Sequence, residues 1–307
     1  MTPPNPILKK LGLADSDRAV IFHADDVANF QSSLDAYREL LDVGLLSSAS
    51  IMVPCSWFPA AAELCRTNAG HPNLDIGIHL TLTSEWGGYR WGPVTSRETG
   101  SGLIDSDGCF HSSSAAVQQF ADLTAVQSEL RAQIERALAA GIDATHIDSH
   151  MFALFHPRLV DVYIDLALEY GLPPFLLRRS VPEFHKYSVS PEAEAALLQR
   201  VPQWEERGLP LFDDATMMPL DNARDRTALL MDKLHELKPG LSCLILHPTK
   251  DTPELREAVP EHDWPCRVAD YQTFKDTAVR DAVQKLGIHI IGYRWLRDLM
   301  PGRGDHK

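Results

Sequence analysis

The sequence predicts an α/β fold built as a single-domain irregular (β/α) barrel, TIM-barrel-like, with long loop insertions over its active-site face. Three observations lead there. Short runs rich in β-branched and aromatic residues alternate with helical patterns along most of the 307 residues. Histidines and aspartates recur at the ends of those runs, and in a parallel sheet all carboxyl ends lie on one side. The composition, 44% hydrophobic and 23% charged, supplies enough apolar surface for one large core without disulfides.

The domain is expected over residues 15–300, with residues 1–14 as an N-terminal extension. Its first strand is Arg18–His23 (RAVIFH), and QSSLDAYRELLDVG then has helical spacing and a closing glycine. Ser48–Val53 reads as the next strand, Trp57–Thr67 as a helix and Asp75–Leu82 (DIGIHLTL) as a third strand. Thr124–Ala140 is amphipathic, Ala144–Ser149 is a strand, and the helix Arg158–Tyr170 stops at Gly171 and Pro173. Strands follow at Phe175–Arg178, Gly208–Phe212, Leu241–Leu246 and Ile288–Ile291, with helices over Arg224–Leu237 and near Tyr271–Leu286. Two stretches break the rhythm, 84–114 and 180–219, and insertions of this length usually cover an active site, with disorder as the plain alternative.

Charge and cysteine content remove several function classes. A formal charge of −13 with no Lys/Arg cluster works against nucleic acid and anionic membrane. The five cysteines are scattered and form no C-x-x-C pair, so neither a disulfide framework nor a thiolate metal site is expected. The N-terminus lacks the apolar run of a signal peptide and no stretch suits a membrane span, which makes a cytoplasmic location the expectation.

The chemistry-bearing residues fall at four strand ends. Asp25 and Asp26 follow the first strand, His79 lies in GIHL, His146, Asp148 and His150 lie in HIDSH, and His247 follows LSCLILHP. Singly, each has an ordinary alternative: an Asp pair caps helices, and a histidine in an apolar strand is commonly a hydrogen-bonded core residue. Together, a carboxylate and two imidazoles form a set that binds a divalent metal and leaves positions open. His146 and His150 are an even number of residues apart, so on a strand they share a face. His150 would then ligate at the strand end, with His146 one layer deeper and Asp148 between them to orient an imidazole. Arg178 is a candidate for binding substrate hydroxyls or orienting Asp25, with a plain salt bridge as the alternative. Trp86, Tyr89 and Trp91 in the first insertion offer flat aromatic faces to a ligand, or else a small local core.

From Ala19 to about Tyr293 the chain resembles the YdjC family of carbohydrate (chitooligosaccharide) deacetylases, which is distantly similar to NodB-type polysaccharide deacetylases. The matching motifs are ADD at Ala24–Asp26, GIHLTLT at Gly77–Thr83, THIDSH at Thr145–His150 and LHP at Leu246–Pro248. The resemblance implies a barrel-like α/β fold, one metal held by Asp26, His79 and His150, and Asp25 as general base. Where many members read D-D-F-G, this chain has D-D-V-A at Asp25–Ala28. Phe152 and Leu154 stand at positions commonly histidine, which makes the pocket less polar, while His156 is kept.

The expected reaction is removal of an acetyl group from an N-acetylated amino sugar or short oligosaccharide, with His247 protonating the leaving nitrogen. Two imidazoles favour zinc, with magnesium second. The expected partners are an acetylated sugar and at most a second copy in a homodimer. Two rivals use similar ligands. A metal-dependent sugar isomerase or lyase needs a Lys or Glu at a strand end, and none is present. A non-catalytic sugar-binding homologue has no use for a base, an acid and a metal set together.

Overall fold

A computed structural model of the chain describes residues 3–186 and 189–302; residues 1 and 2 of the expected extension and 187–188 of the second insertion lie outside the described residues. The described residues form seven strands: β1 (Arg18–Val27), β2 (Ser48–Ile51), β3 (Ile76–Leu80), β4 (Ile147–Ser149), β5 (Asp214–Met217), β6 (Gly240–Leu246) and β7 (His289–Ile290). All pair in parallel, in the order β4-β3-β2-β1-β6-β5 with β7 on β1. The apolar runs of β1 and β6 fit this placement, because helices cover a parallel sheet and its central strands have no wet face. β6 follows one edge of β1 from Arg18 to Ala24, while the other edge is shared between β7, at Ala19 and Val20, and β2, from His23 onward.

Backbone hydrogen bonds complete the ring. Ile147 N donates to Pro173 O, Phe175 N to Ile147 O, Phe212 N to Leu176 O and Arg178 N to Phe212 O, and Asp213 N reaches Leu241 O on β6. The expected strands Phe175–Arg178 and Gly208–Phe212 are therefore extended segments joined by isolated bridges, not full ladders. Pro173 and Pro174 explain part of this, since neither has an N–H to donate. The regular strand at this position is β5, inside the stretch expected as an insertion, which also holds helices Pro191–Leu198 and Val201–Glu206.

One further expectation changes. The helix expected near Tyr271–Leu286 is two, Trp264–Lys275 and Thr277–Gln284, because Asp276 ends the first and caps the second by accepting from Ala278 N at 2.8 Å. The N-terminal segment is docked: helix Pro6–Lys10 buries Ile7 and Leu8, and Asn5 Nδ2 donates to Leu211 O and Asp213 Oδ2, both at 2.8 Å. The first insertion has little regular structure but is tied down. The buried Glu129 carboxylate accepts from Val94 N and Thr95 N at 3.0 Å each. Among the described residues no helix is long and apolar enough to cross a membrane.

Candidate active site

The site begins with a backbone irregularity. Between Ala24 and Val27, β1 carries one more residue than β2 opposite it, and Asp26 takes a left-handed conformation with φ 62°. Alternation alone would send the side chains of Asp25 and Asp26 to opposite faces; the bulge turns both into one pocket of about 250 Å³. That pocket is also lined by His79 from β3, His150 just beyond β4, and His247 just beyond β6. Met151 and Phe152 after β4 are left-handed too, at φ 50° each, so two of the strand ends hold strained backbone at the pocket.

Asp26, His79 and His150 converge. Asp26 Oδ1 lies 3.4 Å from His79 Nε2 and 3.2 Å from His150 Nδ1, and the two ring nitrogens are 3.2 Å apart. Ligands about 2.0–2.1 Å from a tetrahedral ion stand roughly 3.3–3.4 Å from one another, so the triangle has the size of a metal's ligand face. The tautomers fit as well. His79 donates from Nδ1 to Asp148 Oδ1 at 2.9 Å, and His150 from Nε2 to Glu85 Oε2 at 3.0 Å. Each ring thus presents a lone pair to the centre, held by a carboxylate behind it. Asp26 Oδ1 is buried without a hydrogen-bond partner, and a cation between the three atoms would satisfy it.

The charge balance points the same way. Asp25, Asp26, Glu85, Asp148 and Asp263 bring five carboxylates to the cluster, against the single guanidinium of Arg267. Burial opposes the charge on Asp26, yet His150, His79 and Arg267 hold its carboxyl well below the usual range. Burial likewise opposes charge on His150, but Glu85 and Asp26 push it up to about 9, and His79 is raised by Asp148 and Asp25. Without a cation, protons fill the role the carboxylates demand.

The remaining expected residues divide. Asp25 lines the pocket, with Oδ2 at 4.0 Å from His247 Nε2. His247 is buried, and burial together with Arg267 lowers its pKa, so its ring is neutral at pH 7; its Nδ1 has no partner. Asp148 lies behind His79. His146 is in the core, stacked on Tyr293 with centroids 3.8 Å apart, and Thr145 Oγ1 lies 2.9 Å from its Nδ1. Trp86 presents an edge to the pocket but is largely covered, stacked on Phe30 at 5.2 Å, so the aromatic loop is mainly a local core. Arg178 takes its salt-bridge alternative: it pairs with Asp213 and Glu205 at 3.1 and 2.9 Å and does not line this pocket. The arginine at the site is Arg267, which donates to Asp26 Oδ2 at 2.8 Å, pairs with Asp263, and lies 5.3 Å over the Trp86 ring. Of the two aromatic and aliphatic replacements, Phe152 lines the pocket and stacks on Phe184, whereas Leu154 is wholly buried.

Sequence reading missed His23, Glu85, Asp263 and Arg267. His23 was within reach, since it lies two residues before Asp25 on the same strand face. Arg267 and Asp263 sit one turn apart on or beside a helix far along the chain, where no strand-end rule applies.

Known proteins resemble this chain in sequence and fold. A family model described as YdjC-like protein matches residues 19–285. A carbohydrate deacetylase of Thermus thermophilus is 33% identical over 294 residues, covering 96% of this chain and 99% of that protein. A carbohydrate deacetylase of Brevibacillus brevis is 36% identical over 145 residues, 46% of this chain and 50% of its own. Among solved structures, an Enterococcus faecalis V583 protein provisionally described as a cellobiose-phosphate cleavage protein superposes with a TM-score of 0.72. Its identity is 24%, and the match covers 92% of this chain and 99% of that one.

Proposed function

The chain belongs to the YdjC-like family, and from that premise we propose that it is a metal-dependent hydrolase removing the acetyl group from an N-acetylated amino sugar or short oligosaccharide. The catalytic unit is residues 15–300, with the N-terminal helix docked on it. The observation that carries the reading is the convergence of Asp26 Oδ1, His79 Nε2 and His150 Nδ1, each 3.2–3.4 Å from the others and each ring committed to a carboxylate on its far side.

Asp26, His79 and His150 would hold the ion, with zinc favoured over magnesium by the two imidazoles. A divalent ion there supplies a Lewis acid that makes water acidic near neutrality and polarises the acetamide carbonyl. Asp25, on the open side of the pocket, takes the proton from the attacking water. His247 starts neutral, and its Nε2 is 4.0 Å from Asp25 Oδ2. The proton therefore has a short path from Asp25 to His247, which passes it to the leaving nitrogen. Arg267 keeps the second oxygen of Asp26 engaged, so that Oδ1 alone faces the centre.

Asp25→Asn tests this most simply. It preserves shape and metal ligands but removes the base, so acetate release is expected to fall by about 10²–10⁴-fold with one metal still bound per chain. Activity within a few-fold of wild type would remove Asp25 from the reaction.

A further inference from the structure

Asp25 lies against a buried histidine. His23 Nε2 is 3.0 Å from Asp25 Oδ1 and 2.9 Å from Asp148 Oδ2, with Ser50 Oγ at 3.3 Å. The other nitrogen, Nδ1, is 3.1 Å from Ser48 Oγ. The rings of His146 and Tyr293 meet it edge to face, with centroids at 5.0 and 5.6 Å, which locks its orientation. Asp25 Oδ1 is buried and makes no well-aligned hydrogen bond, and among the described residues the His23 ring, at 3.0 Å, is its one ion-pair partner. Asp148 extends the contact: its second oxygen accepts from His79. Asp25, His23, Asp148 and His79 thus form one continuous chain, buried except at the Asp25 end.

Resting on the reading that Asp25 is the base, we propose that His23 is its positioning residue, a ring fixed by Ser48, Ser50 and Asp148 that holds the Asp25 carboxylate with Oδ2 turned to the pocket. Although burial disfavours a charged ring, the hydrogen bond to Asp148 and the nearness of Asp25 raise the His23 pKa to about 9. The ring therefore carries a positive charge at neutral pH and offsets one of the five carboxylates. A neutral side chain of similar reach keeps the donor and loses the charge; a small one loses both.

The test uses zinc-loaded full-length protein, with acetate release from N-acetylglucosamine oligomers of one to four units as the assay. His23→Ala is expected to lower kcat by at least about tenfold with KM and zinc stoichiometry unchanged, and His23→Gln to recover part of the loss. Because His23 acts through Asp25, the double variant His23→Gln/Asp25→Asn should be no slower than Asp25→Asn alone. Losses that multiply, or that follow loss of zinc or of thermal stability, overturn the proposal and leave the base reading intact. Full activity in Asp25→Asn removes the base reading itself. A readout independent of turnover is the ¹⁵N spectrum of the histidine rings. His23 should carry protons on both nitrogens at neutral pH and titrate at least about one unit lower in Asp25→Asn; an unchanged titration also overturns the proposal.

Discussion

Asp25 and Asp26 are neighbours with different surroundings, and the difference divides their chemistry. Asp26 is enclosed by two imidazoles and a guanidinium, while Asp25 keeps an oxygen toward the pocket. His150→Ala removes one of the three proposed ligands, and zinc affinity is expected to fall by at least about 100-fold in equilibrium dialysis, with the fold retained. The raised histidines give a pH signature. His23 and His150 bind protons more tightly in the folded chain, at about 9, than at the ordinary 6.5. Their stabilisation is therefore complete below about pH 6.5 and lost as pH rises through about 9. Chelator-treated protein should melt at a lower temperature at about pH 9.5 than at about pH 6.5, and zinc, replacing the proton at His150, should flatten that slope. A slope of opposite sign would contradict these assignments. At this scale, sequence reading brought forward Asp25, Asp26, His79, His150 and His247 because each sits at a strand end, where topology limits where a side chain can go. Glu85 and Arg267 come from a loop and a helix. Their approach to the site depends on packing, which local spacing does not encode. At Arg178 the salt-bridge alternative holds, because Asp213 and Glu205 lie within 3.1 Å of its guanidinium.

The bulge of β1 is the element that makes the site. It requires left-handed backbone at Asp26 and again at Ala28, φ 62° and 71°. A non-glycine residue in that conformation costs roughly 1–2 kcal/mol, against roughly 0.5–1 kcal/mol for the greater unfolded-state freedom of glycine. Ala28→Gly is thus expected to leave stability unchanged or raise it by up to about 1 kcal/mol in urea unfolding; a clear loss would mean that the Ala28 methyl is needed for packing. Gly77 is the converse case. A Cβ there would run into the His146 ring, itself pressed on Tyr293. Gly77→Ala should cost about 1–3 kcal/mol without touching any ligand. Helices and strands with a clean period were legible, as β1, β3 and β6 show. The stretch 180–219 was not, since Pro173 and Pro174 reduce the adjoining pairing to bridges and β5 has only four residues with alternating partial burial. The helix break at Asp276 was equally hidden, because a capping Asp between two apolar patterns keeps the period nearly continuous.

Across the whole molecule, the parallel ring gathers side chains from distant parts of the sequence at its carboxyl ends, and the two irregular stretches wall the pocket. Trp86 comes from the first, Lys186 from the second, with Phe184 of the same turn supporting Phe152. The pocket joins a polar floor of carboxylates and imidazoles to an apolar side of Met151, Phe152, Met217 and Leu220, which suits a sugar with one hydrophobic face and an acetyl methyl to bury. Because the proposed ligands come from β1, β3 and the end of β4, an ion among them would tie the sheet together. A metal present at about 100 times its Kd stabilises the fold by about 2.7 kcal/mol. The barrel class followed from alternation and length; its closure through bridges at Ile147, Leu177 and Phe212 did not. The proposed function has Asp26, His79 and His150 hold a divalent ion on which acetate release depends. Its most direct test is acetate release by chelator-stripped protein from N-acetylglucosamine oligomers as zinc is titrated in. Release that is absent at the start and reaches a plateau at about one ion per chain is the predicted result; release that survives stripping and ignores added zinc would contradict it.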